Sequence, residues 1–124
     1  MHKYKKYINL VGASLNSPEE YHFLKKFKLF KVFQIPFNIL DKRWNKILND
    51  RNRSSEIHVR SIFLQGLLLT TKKNCPNKLR NEFKKVNKKI SYLVKRLNRY
   101  DEKDLLFNYV YQNPLIKKIL VGIE

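Results

Sequence analysis

Apolar positions gather into four short runs separated by amphipathic stretches. The first run, over 7–15, is closed by Asn16-Ser17-Pro18-Glu19-Glu20. There Ser17 is placed to cap a helix, Pro18 to sit in its first turn, and Glu20 to complete a capping box three residues on. The helix carries Tyr21, Leu24 and Phe27 or Leu29 at near-helical spacing. In the second run, over 31–39, the period changes to two: Phe33, Ile35, Phe37 and Ile39 share one face, and Gln34, Pro36 and Asn38 the other. Pro36 has no N–H for a ladder, so pairing is predicted to stop beside it, at a strand end, with Asn38 at a rim. Asp41 is positioned to cap a short helix through Trp44, Ile47 and Leu48, which dissolves in the polar stretch 49–55. The third run, over 56–63, leaves through Gly66 into a loop that reaches Pro76. A long helix then starts at Asn77, its stripe of Leu79, Phe83, Val86, Ile90, Leu93 and Leu97 predicted to pack on the sheet and its lysines to be solvated. Asp101 opens another helix with Leu105, Leu106, Tyr109 and Val110. Asn113-Pro114 stops it, and the fourth run follows over 116–123.

Four apolar runs alternating with helices, and no two-residue hairpin turn between any of them, predict parallel strands joined by right-handed crossovers. The fold class is α/β, in a single domain over 1–124, with no internal repeat and no low-complexity tract.

Charge adds a second theme. The chain has 27 Lys+Arg against 10 Asp+Glu, a formal net charge of +17, which attracts any polyanion. The lysines run from Lys3 to Lys118 and travel with abundant Asn, Ile, Tyr and Phe, so the surplus reads as a chain-wide bias, and no specific nucleic-acid partner is expected. A non-catalytic basic module that binds nucleic acid or another polyanion through the helix around 78–99 is the alternative reading. The single cysteine, Cys75, cannot form an internal disulfide and is read as an inert thiol. No stretch is long and apolar enough to span a membrane, and the start lacks a signal-type apolar region. A cytoplasmic protein with no membrane partner is expected. Paired carboxylates, a glycine-rich phosphate loop and a Ser-His-Asp order are lacking, which leaves hydrolase and kinase chemistry without support. Glu56 and His58 alternate on one strand, but two side chains do not make a metal site, and none is predicted.

One family resemblance stands out. The segment Glu56-Ile57-His58-Val59-Arg60-Ser61-Ile62-Phe63-Leu64-Gln65-Gly66-Leu67-Leu68 resembles the seventh-strand segment of a bacterial branch of the aldo/keto reductases. Gln34 to Asp41 is similar to that family's sixth strand and turn, Val11-Gly12-Ala13-Ser14 to its fifth, and Asn113 to Gly122 to its eighth. These pieces occur in the family's order over almost the whole chain. The family folds as an eight-stranded TIM (β/α) barrel and reduces carbonyls with NAD(P)H. The resemblance therefore implies the C-terminal half of such a barrel, a fragment of four parallel strands at about 7–15, 31–39, 56–63 and 116–123. A complete barrel of this kind needs about 250 residues, against 124 here.

The resemblance also implies a nicotinamide subsite. Ser14 and Gln34 are expected to hydrogen-bond the carboxamide, and Arg60 takes the place of an aromatic that stacks on the nicotinamide ring in many relatives. Ser61, Phe63, Gln65 and Gly66 lie in the segment that passes the pyrophosphate in the family. Leu15 stands where relatives often have Asn. The family's catalytic tetrad of Asp, Tyr, Lys and His belongs to segments that this chain does not match. No catalytic residue is assigned, the carbonyl substrate belongs to the full-length parent, and the isolated chain is expected to be inactive, with weak or absent cofactor binding. Four strands also leave two edges and an apolar interior face open, so self-association or a complementary N-terminal half is expected.

Overall fold

The computed structural model describes residues 7–70 and 75–122. In chain order the elements are β1 (Val11–Ser14), α1 (Pro18–Leu24), β2 (Phe30–Pro36), α2 (Asn45–Leu48), β3 (Glu56–Arg60), α3 (Arg80–Arg96), α4 (Glu102–Tyr111) and β4 (Ile116–Ile119). Short 3-10 turns cover Leu67–Leu69 and Asn77–Leu79. The strands form one sheet, in the order β1-β2-β3-β4, and every pairing is parallel. The α/β class and the four parallel strands agree with the sequence pattern. Each strand is shorter than predicted, because the flanking residues enter turns; 123 and 124, at the end of the predicted fourth strand, lie outside the described residues.

Several local signals act as the sequence predicts. Ser17 caps α1 in a full capping box: its hydroxyl accepts from Glu20 N–H at 3.4 Å, and the Glu20 carboxylate accepts from the N–H groups of Ser17 (3.4 Å) and Asn16 (2.6 Å). Asp101 caps α4 by accepting from Asp104 N–H at 2.8 Å. β2 ends at Pro36, which has no N–H to offer, and one last bond to β3, from Phe37 N–H to the Arg60 carbonyl at 3.1 Å, follows it. Asp41 is different. Its carboxylate accepts from Arg43 N–H and grips the Arg43 guanidinium at 2.7 and 2.9 Å, while α2 shrinks to one turn with no side-chain cap.

Alternation along the strands separates the two faces of the sheet. Phe33, Ile35, Ile57 and Val59 are fully buried and join Tyr21 of α1, Ile47 and Leu48 of α2 and Val110 of α4 in one core, with Leu15 and Trp44 sealed among them. A sequential parallel order places crossover helices on one side of the sheet, and this shared core is that side. Each such side chain contributes about 1.5–3 kcal/mol by leaving water.

The other face differs from the expected apolar one. It carries Gly12, Ser14, Gln34, Glu56, His58 and Arg60, the alternate positions of the same strands, and Val32 and Pro36 are its apolar members. The polar half of the period-two pattern faces away from the helices, so this surface is polar. The long helix also departs from expectation. Its stripe packs on α4 and on the turn after β3, through Ile90 against Leu68, Leu105 and Leu106, rather than on the sheet, and its outermost members Leu79 and Leu97 stay exposed.

Two tight features hold the sheet in register. A Cβ on Gly12 would lie 2.8 Å from the Val32 carbonyl oxygen, so the close approach of β1 to β2 requires glycine there. At the N-terminal end of the sheet, Arg53 donates to three main-chain carbonyls: Ile47 (2.6 Å), Ser55 (2.9 Å) and Leu115 (2.9 Å).

Candidate functional site

In open parallel sheets ligands settle in the crevice beyond the carboxyl ends of the strands. At that end, the polar face of this sheet meets a left-handed loop. Ser14 closes β1 and pairs in register with Gln34 on β2, which pairs with His58 on β3. The Ser14 hydroxyl donates to Gln34 Oε1 at 3.0 Å. That bond fixes the amide's orientation and turns its Nε2 donors outward with no protein partner among the described residues.

Arg60 ends β3 opposite Pro36, and its side chain reaches across the C-terminal end of β2. Nη2 donates to the Leu15 carbonyl at 3.1 Å and to Asn16 Oδ1 at 2.6 Å, while Nη1 donates to the Ser61 hydroxyl at 3.3 Å. The guanidinium is thus tied to the end of β1. Asn16 is itself held by the capping box of α1 through its own N–H, so the helix start orients the residue that orients Arg60.

The loop over 61–66 is unusual in its backbone. Ser61 (φ +59°), Leu64 (+51°), Gln65 (+53°) and Gly66 (+78°) are all left-handed, a conformation that carries a steric penalty of roughly 1–2 kcal/mol for each non-glycine residue. Surrounding bonds maintain it. Leu64 N–H donates to Ser61 O at 2.9 Å and Leu68 N–H to Phe63 O at 3.1 Å. Asn38, which the sequence pattern places at a rim, is buried: its Nδ2 donates to Ser61 O at 3.4 Å and its Oδ1 accepts from the N–H groups of Leu40 and Asp41. Phe63 packs against both apolar clusters and anchors the loop from below.

Ser61 and Gln65 are shared by two clefts, one on each side of the loop. A cleft of about 390 Å³ is also lined by Phe63, Gly66, Lys103 and Gly122. A broader one of about 730 Å³ takes in Asn16, Asn38, Lys42, Arg43 and Arg60. The one carboxylate on the broader cleft, Asp41, is bonded to Arg43, and that guanidinium holds its carboxyl below the ordinary aspartate range. Cations therefore outnumber anions in both clefts, and amide, hydroxyl and guanidinium groups line them. The arrangement suits a ligand that combines an amide-bearing ring with anionic groups.

Of the seven sequence-predicted residues, Ser61, Phe63, Gln65 and Gly66 line the narrower cleft and Arg60, Ser61 and Gln65 the broader one, whereas Ser14 and Gln34 bond to each other on the polar face of the sheet and line neither. Asn16, Lys42, Arg43 and Lys103 were missed. Three of these precede or follow short turns with no distinguishing pattern, and Lys103 arrives from α4, which only the folded chain brings alongside. Glu56 and His58 face each other across 3.3 Å, and among the described residues no third ligand-type side chain joins them. Cys75 is buried, its thiol 3.6 Å from the Pro76 carbonyl, away from both clefts. Comparison of the chain with family models, with curated proteins and with solved structures finds no match.

Proposed function

We propose that this chain is the later half of an aldo/keto reductase-like barrel and that the C-terminal rim of its sheet supplies part of a nicotinamide dinucleotide site. The observation that carries the reading is the sheet order. Four parallel strands follow one another in sequence order with α1, α2 and α4 sharing one core against the sheet, whereas a doubly wound sheet reverses direction at a switch point and covers both faces.

The residues at the rim fit the cofactor chemically. Gln34 Nε2 has donors to offer a carboxamide oxygen, and Ser14 Oγ has lone pairs to accept from the carboxamide nitrogen. Arg60 presents a planar cation fixed at three acceptors, suited to stacking, and the left-handed loop with Lys103 and Arg43 beside it suits the pyrophosphate. When bound, the cofactor supplies a hydride. This chain's part is to orient the carboxamide through Ser14 and Gln34. The acid that protonates a carbonyl oxygen belongs to the complementary half, and the chain alone reduces no carbonyl.

The test is an amide-resolved NMR titration of the full chain with NAD and with NADP. Shifts confined to Ser14, Gln34 and the 60–66 loop, weakened by Gln34→Leu, are the expected result. Millimolar cofactor that moves no resonance at this rim would reject the proposal.

A further inference from the structure

The outer face of α3 carries a charge pattern that the rim site does not use. Seventeen residues at 1.5 Å each make this helix about 25 Å long. At 3.6 residues per turn, Lys84, Lys85, Lys88, Lys89, Lys95 and Arg96 fall within an arc of about 140°, with Tyr92 near its middle. All six cations are exposed, and the Tyr92 ring is 60% exposed. No carboxylate lies within the arc. Glu82 stands at one margin, and at the other Glu102 accepts a hydrogen bond from Ser91. None of the six cations takes part in an ion pair among the described residues.

This pattern works against the helix itself. Lys84 with Lys88, and Lys85 with Lys89, are like-charged pairs at i,i+4, where opposite charges would support the helix and like charges weaken it. The helix is held instead by its other face, where Phe83 and Ile90 are buried and Ile90 packs against Leu105 and Leu106. The basic face is therefore rigidly presented and electrostatically unsatisfied.

We infer that the outer face of α3 binds the phosphodiester backbone of nucleic acid without reading its sequence. Along the axis Lys84 and Lys85 lie about 6 Å from Lys88 and Lys89, and these about 10 Å from Lys95 and Arg96, a line of paired cations that suits an extended polyanion. An exposed aromatic ring among them offers a platform for an unpaired base. An anionic membrane fits less well, because an interfacial helix must bury its apolar face in lipid, and the apolar face of α3 is already packed on α4.

The experiment is fluorescence anisotropy of the full chain with a labelled single strand of about 25 nucleotides and with its duplex, between roughly 50 and 200 mM salt. Two quadruple variants are compared. One is Lys84→Glu, Lys85→Glu, Lys88→Glu and Lys89→Glu. The other reverses exposed lysines elsewhere: Lys26→Glu, Lys28→Glu, Lys31→Glu and Lys46→Glu. Each reversal removes two charges, so both sets take the net charge from +17 to +9. The α3 set is expected to lose at least tenfold in affinity and to flatten the log–log salt slope on the single strand by about 3, while the other set loses less than threefold. Lys84→Gln, Lys85→Gln, Lys88→Gln and Lys89→Gln together serve if reversal disturbs the helix, with at least a threefold loss expected. Tyr92→Ala separates the two forms of nucleic acid: a loss of about fivefold or more on the single strand alone assigns a base contact, and unchanged affinity for both assigns the backbone contact only. Equal losses from the two reversal sets would overturn the inference. So would binding to phosphatidylserine vesicles or polyglutamate as tight as to the oligonucleotides at the same salt.

Discussion

Arg53 offers the most direct test of how the sheet is held at the end opposite the site. Its three donors satisfy carbonyls at the C-terminal end of α2, just before β3 and just before β4, so one side chain joins three segments. Burial pulls the Arg53 guanidinium below its ordinary pKa, with the Asp50 charge acting in the opposite direction, and among the described residues no carboxylate lies within ion-pair distance of it, so carbonyl dipoles are its direct partners. Hydrogen bonds to a charged group are worth about 1.5–3 kcal/mol each where water cannot replace them. Ser55 and Leu115 are half-buried, and water can take their carbonyls in a truncated variant; Ile47 is buried, and its carbonyl is the hardest to reach. One bond at full value and two at a fraction, less the desolvation of the guanidinium, gives a loss of about 2 kcal/mol for Arg53→Ala. For a chain of this size that is a fall in Tm of roughly 6–8 °C. Arg53→Lys keeps the charge but not the fork, so it should recover no more than about half of the loss. Thermal and urea unfolding followed by circular dichroism measure both. Wild-type stability in Arg53→Ala, or full recovery in Arg53→Lys, would show that the three carbonyls are not held as described.

Other perturbations separate sterics, backbone strain and charge. Gly12→Ala forces a Cβ to 2.8 Å from the Val32 carbonyl oxygen and is expected to destabilise by about 1–3 kcal/mol in urea unfolding, as β1 and β2 move apart. Gly66→Ala meets no atom within 4 Å, and its cost is the left-handed φ of +78° alone, about 1 kcal/mol; a larger loss would mean that the 61–66 loop is packed more tightly than described. Asp41 has its pKa lowered by the hydrogen bond from Arg43, so its contribution to stability is complete above the ordinary aspartate value, about 4, and is lost as pH falls through the lower folded value. Comparing unfolding of wild type and Asp41→Asn from pH 6 to pH 2 (roughly) should show that the difference between them shrinks only below about pH 4. A constant difference would remove Asp41–Arg43 as its source.

Much of the fold was legible because its signals are local. The period-two alternation of Phe33, Ile35 and Phe37 selects the buried face of β2, and Ser17 with Glu20, and Asp101 alone, mark helix starts through bonds that span three residues. What escaped depends on contacts distant in sequence. Asp41 has the form of a cap, but Arg43 lies within reach and takes both carboxylate oxygens. The stripe on α3 correctly marks a buried face, yet periodicity carries no address, and the partner is α4 rather than the sheet. The third strand stops at Arg60 rather than at 63, since Ser61 turns left-handed, a conformation that no β-propensity rule anticipates for serine. Of the residues that line the two clefts, those in the 60–66 segment were singled out from the sequence; Arg43 and Lys103, brought in by a turn and a helix, were not, and Ser14 and Gln34 lie outside both linings.

The polar face of the sheet changes what a complementary half would have to supply. An apolar face would drive association by roughly 25 cal/mol per Å² removed from water, but Ser14, Gln34, Glu56, His58 and Arg60 give that term little to act on. Burying them under a packed layer would instead require a partner for each polar group. Association must therefore draw on other surfaces, and the structure has them. Among the described residues β1 and β4 are the sheet edges, and the exposed apolar side chains of Ile8 and Leu10 come just before β1 and those of Phe23, Phe27 and Leu29 from the connection between β1 and β2. In the proposed half-barrel these are the surfaces that a neighbouring strand and helix would cover, with the polar face left to line the interior around the ligand. It follows that charged substitutions at Phe23 and Phe27 should weaken any self-association seen by light scattering, whereas Gln34→Leu or His58→Leu should leave it unchanged or strengthen it. The opposite ranking would mean that the polar face itself is the interface, and that the rim is not open to a ligand.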